Sequence, residues 1–94
     1  MNIEQRKFLI VTALMRKGDI LRTYNDPNNP FEYTDYQLCS TLEGERYVIN
    51  DRARLYKKES FDKIKLLPWQ KVDYITEDRE RMSLFKELLK NKYI

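Results

Sequence analysis

The chain of 94 residues contains no histidine, one cysteine, two glycines and three prolines. Each scarcity removes a class of chemistry. Without histidine there is no Ser-His or Cys-His couple, no imidazole metal ligand and no side chain that ordinarily titrates near neutrality. Cys39 alone forms no intramolecular disulfide and supplies too few thiolates for a structural zinc site. Gly18 and Gly44 stand too far apart for a phosphate-cradling loop of the G-x-x-x-x-G-K-S/T or G-x-G-x-x-G kind. No Glu-x-Lys triplet occurs, which argues against a metal-dependent nuclease whose acidic cluster ends that way. Asp26, Asp35, Glu43, Glu45 and Asp51 lack calcium-loop spacing and read as a solvated set. The expectation is therefore a non-enzyme with no metal and no cofactor.

Long hydrophobic runs are also missing. The longest, Phe8–Met15, is far short of the roughly twenty residues that cross a bilayer. Asn2–Lys7 carries both signs of charge, unlike a secretory signal, and an unpaired cysteine suits a reducing compartment. A cytoplasmic protein without a membrane partner is expected.

What is present is charge and aromatic surface. Charged residues make 35% of the chain and hydrophobic ones 41%, a foldable balance with little apolar area to spare in one small domain. Lys, Asn, Ile and Tyr account for 30 of the 94 residues and Ala for only two. All four have AT-rich codons, which points to a low-GC bacterium or its phages.

Periodicity predicts helices at both ends. Asn2 caps a first helix running to Lys17, with Gly18 as its C-terminal stop. Its apolar residues cover more than half the wheel, so it is either central to its own core or covered by a second copy in a homodimer. A buried strand over Phe8–Leu14 is the competing reading. Asp19–Tyr24 alternates as a strand, and residues 25–30, with two prolines among Asn and Asp, form a loop. Strands at Tyr36–Leu42 and Arg46–Asn50 meet at a hairpin where Gly44 supplies positive φ, and Arg52–Lys58 alternates as another. Ser60 caps about two helical turns to Leu67, Lys71–Ile75 is a further strand, and Thr76 caps a last helix to about Lys92. That helix carries a stripe of Met82, Phe85, Leu88 and Leu89, with Tyr93 and Ile94 beyond. The fold class is α+β: one domain with an N-terminal helix, an antiparallel sheet of about four strands and a C-terminal amphipathic helix.

Two candidate surfaces follow. Tyr24, Phe31, Tyr33 and Tyr36 surround the proline loop, and aromatics on a stiffened loop anchor protein partners with large area at low entropy cost. Charge is segregated: residues 19–45 hold one basic and six acidic side chains, residues 46–71 eight basic and three acidic. Either these segments pair across the sheet, or each makes a face. Within the basic segment, Arg46, Arg52, Arg54, Tyr56, Lys57, Lys58 and Trp69 combine phosphate-neutralising and base-stacking groups, with Arg52, Arg54, Tyr56 and Lys58 on one strand face.

The leading expectation is a non-enzymatic interaction protein that binds and modulates, or inhibits, a larger protein, such as a phage or mobile-element accessory factor. The alternative is nucleic-acid binding through 46–71. A third class, a metal-independent ribonuclease toxin working with Arg, Lys, Tyr and Glu, departs from this chain because a helix here precedes the first strand.

Overall fold

In the computed structural model, residues 2–91 are described. The first helix, α1, spans Ile3–Leu14, and the Asn2 side chain caps it by accepting the Gln5 N–H at 2.8 Å. It ends three residues before the expected Lys17. The Asp19 carboxylate takes the Arg16 N–H at 3.0 Å, offering that amide a partner outside the helical ladder. Gly18, at φ +93°, therefore serves the turn into the sheet and not the helix end. The alternative of a strand over Phe8–Leu14 does not occur.

Five strands follow in one antiparallel sheet: β1 (Ile20–Tyr24), β2 (Tyr33–Ser40), β3 (Arg46–Asn50), β4 (Leu55–Lys57) and β5 (Lys71–Ile75). Their spatial order is β4-β3-β2-β1-β5. The sheet has one strand more than expected. β1 to β4 form a meander, and β5 returns to the far edge beside β1. Gly44 sits at φ +87° in the β2–β3 hairpin, as its position predicts.

The expected strand Arg52–Lys58 shrinks to Leu55–Lys57. Ala53 adopts φ +64°, and the Asn50 side chain accepts the Arg52 and Arg54 N–H groups at 2.9 Å each, so residues 50–54 make a turn. The expected helix from Ser60 to Leu67 is one turn, α2 (Lys58–Phe61), with Ser60 inside it. The chain beyond is held instead by Gln5, whose amide donates to Ile64 O at 3.1 Å and accepts the Leu66 N–H at 2.8 Å. The last helix, α3 (Arg79–Lys90), is capped by Asp78 and not by Thr76. Lys92, Tyr93 and Ile94 lie outside the described residues.

The helices α1, α2 and α3 cover one face of the sheet. Phe8, Val11, Met15, Leu21, Val48, Phe61, Val72, Tyr74 and Phe85 form the core between them. Met82, Leu88 and Leu89 pack against it as the stripe predicts. The broad apolar surface of α1 is used within the chain, against α3, β5 and β1. Arg6 ties the ends together, its guanidinium donating to the carbonyls of Leu88, Leu89 and Asn91, the last at 2.6 Å. Among the described residues no helix is long and apolar enough to cross a membrane.

Candidate interaction surface

Strand residues alternate between faces, so covering one face leaves the other open. On the open face the registers align Ile75, Ile20, Gln37, Ile49 and Leu55 in one row across all five strands. Leu55 is 59% exposed, the three isoleucines are half-buried, and none of the four aliphatics joins the core. A second row holds Asp73, Arg22 and Asp35, and a third Lys71, Tyr24 and Tyr33. On the other side of the aliphatic row lie Cys39, Tyr47 and Lys57.

Arg22 is locked. Its Nε and Nη2 donate to the two Asp35 carboxylate oxygens at 2.7 and 3.0 Å, and its guanidinium stacks 3.8 Å from the Tyr33 ring centre. The Asp35 hydrogen bond pushes the Arg22 pKa further above its already high value. Tyr24 meets Tyr33 edge-on with centroids 5.9 Å apart.

The sheet edges are closed to a further strand. On β5 the Val72 N–H donates to Glu4 Oε2 at 3.1 Å and the Tyr74 N–H to Asp73 Oδ1 at 3.0 Å. At the other edge, β4 is only three residues long. Occupied amides and short edges both discourage edge pairing.

At the end of the sheet where β1 passes into β2, the predicted aromatic loop is built and braced. The Asn25 N–H donates to Glu32 O at 3.0 Å, while Asp26 and Asn29 side chains accept the N–H groups of Asn28 and Phe31. Phe31 projects with 87% of its surface exposed. Tyr24, Pro27, Pro30 and Lys71 line a cleft of about 410 Å³ beside it. Gln70 donates to the Asn25 side chain at 3.0 Å, anchoring to this end the neighbouring segment that exposes Leu67 and Trp69.

Of the four predicted protein-binding residues, Tyr24, Phe31 and Tyr33 converge here. Tyr36 does not. It points to the helix face, 5.0 Å from the Phe61 ring and 6.1 Å from Tyr56, and burial raises its pKa. The expected basic-aromatic strand face is not assembled. Arg52 and Arg54 sit in the 50–54 turn, and Tyr56 packs toward Phe61 with Arg54 over its ring at 5.1 Å. Lys58 is buried at the start of α2, donating to Thr12 O at 2.8 Å and to Asp62 at 2.6 Å. Arg46 and Lys57, on the paired strands β3 and β4, line one open cleft with Tyr47 and Lys58, whereas the exposed Trp69 is not part of it. Among the described residues no ion pair joins the acidic 19–45 segment to the basic 46–71 segment.

A polar cluster that sequence reasoning missed lies at the opposite end. Asp19, buried, accepts from Tyr74 Oη and Thr76 Oγ1 at 2.7 Å each, from Arg81 Nε and Nη2 at 2.9 and 3.0 Å, and from the Arg16 N–H. Burial alone would raise its pKa; the hydrogen bonds, from Arg81 above all, outweigh that and lower it to about 2. Burial and the Asp19 bond push Tyr74 up to about 12. This satisfied network fastens the α1–β1 turn to the β5–α3 junction. Among the described residues no group of three or more Cys, Asp or Glu side chains is placed to hold a metal ion.

Comparison with known protein families, with curated proteins and with solved structures finds no match for this chain.

Proposed function

We propose that this chain is a small non-enzymatic interaction protein that binds and modulates a larger protein through the aromatic end of its sheet. The supporting observation is Phe31, 87% exposed on a loop whose backbone is already fixed by its own hydrogen bonds. An apolar ring held out to solvent on a braced loop binds with little ordering cost. Tyr24, Tyr33, Leu67 and Trp69 extend the surface around it, the aromatic content that interface anchors favour. Asp26 and Lys71 line the same cleft at this end, a mixed charge that suits a protein surface better than a polyanion. The length and AT-rich composition fit an accessory factor of a phage or mobile element.

The test is capture from nuclease-treated lysate of a low-GC host, followed by calorimetry with the recovered protein. Phe31→Ala and Trp69→Ala together are expected to weaken binding at least tenfold, as loss of anchor residues does. Both side chains lie outside the core, so the thermal melt stays in place. Binding unchanged in the double variant overturns the assignment. Material that vanishes on nuclease treatment transfers it to the basic segment.

A further inference from the structure

The aliphatic row shares the open face with Tyr24 and Tyr33, four residues away along the strands, and its pattern is symmetric. From edge to edge it reads Ile75, Ile20, Gln37, Ile49, Leu55, two aliphatics on each side of one amide on the central strand. We infer that a second copy of this chain covers the open face, the two sheets packing as a sandwich about a two-fold axis that runs along β2.

That axis exchanges the two halves of the sheet and keeps both ends where they are. Ile20 falls over Ile49 of the second copy, Ile75 over Leu55, and Gln37 over Gln37, where two amides donate and accept mutually. An isologous contact requires such self-complementarity.

Charge selects this axis. Continuing the β2–β3 register by one residue sets Asp51 opposite Asp35, and the Asp35 N–H indeed donates to Asp51 Oδ2 at 3.2 Å. The axis along β2 then brings Arg22 over Asp51 of the second copy, Asp73 over the Arg52–Arg54 turn, and Lys57 toward Glu77, which flanks Ile75; Asp35, on β2 itself, falls over Asp35 of the second copy, each carboxylate already neutralised by its own Arg22. An axis across the strands also lays the aliphatic row on itself, but it sets Asp73 over Glu77, like against like. Sheets stack about 10 Å apart, within reach of facing Arg and Lys side chains.

The blunted edges disfavour the competing mode of self-association, a continuous sheet through β4 or β5. Size sets the strength. Five strands ~4.8 Å apart and five residues at ~3.4 Å give a footprint of roughly 400 Å² before side-chain relief. A standard stable interface buries about 800 Å² per partner, so the dimer belongs to the weak class and depends on concentration.

Sedimentation equilibrium across the range from about 1 μM to about 1 mM reads this directly. The mass is expected to rise from one chain to two, and Ile49→Asp to hold it at one. Lys57→Glu and Glu77→Lys, both at exposed positions outside the core, are each expected to shift the midpoint several-fold upward, and their combination to restore it. Cys39 lies on β2, on the axis, so a short bifunctional thiol reagent should join two chains through their only cysteine. A single-chain mass throughout the range overturns the inference, as does a dimer indifferent to Ile49→Asp. Failure of the charge swap to rescue, or of Cys39 to cross-link, overturns the axis along β2.

Discussion

Asp19 is where single-residue physics is most concentrated, because its carboxylate gathers the Arg16 amide, two hydroxyls and a guanidinium from residues as distant as Arg81. Its pKa falls from 3.8 to about 2 on folding. A carboxylate whose folded pKa is depressed contributes stability above its unfolded pKa and loses it as pH falls through the folded one. The difference corresponds to about 2 kcal/mol, in full above pH ~5 and gone near pH ~1. Asp19→Asn should therefore destabilise by about 2 kcal/mol at neutral pH in urea titrations, the gap to the parent closing as pH drops toward ~2. Asn2 and Gly44 were legible locally, since a cap and a hairpin turn depend on neighbours in the chain. Asp19 was not, because its partners Tyr74, Thr76 and Arg81 lie more than fifty residues on. Thr76, expected as a helix cap, donates its hydroxyl to this network while its oxygen accepts the Asp78 N–H at 3.1 Å.

At the scale of elements, β5 illustrates how an edge is closed from outside the sheet. Glu4, in the first turn of α1, takes the Val72 amide and also pairs with Lys7 at 3.2 Å. Glu4→Ala should cost about 1 kcal/mol and free that amide. The expected result is faster turbidity growth at high protein concentration, with the far-ultraviolet spectrum unchanged at the start. Elements with a strong local pattern were readable: the α3 stripe, the Gly44 hairpin and β5 all lie where periodicity puts them. β4 was overestimated because Ala53 carries no mark of its left-handed conformation, which the Asn50 side chain enforces. The open aliphatic row was hidden by two-sided strands. Ile20 beside Leu21, Ile49 beside Val48 and Ile75 beside Tyr74 place apolar residues on both faces, so alternation alone chose neither. The available signal was one of supply: the chain has helices for only one layer, and strands that are apolar on both faces ask for two.

For the whole molecule, α1 and α3 are coupled through Arg6, which binds three carbonyls at the end of α3. The last turn of a helix is where carbonyls generally need partners from outside the helix. Arg6→Ala should lower global stability by about 2 kcal/mol. Because the helices share one core, hydrogen exchange in both should accelerate together, whereas a local effect would quicken α1 alone. The α+β class and the placement of helices at both termini were legible from composition and pattern. The order β4-β3-β2-β1-β5 was not, since pairing β5 with β1 across about fifty residues leaves no local trace.

The same closure of first element on last has a consequence for synthesis. α1 leaves the ribosome before the elements that cover its apolar side, and of those β5 and α3 follow it by more than fifty residues. At roughly 5–20 residues per second, that side waits several seconds or more for its partners. Until α3 has emerged, the nascent chain presents α1 uncovered, and molecular chaperones have a long opportunity at that helix.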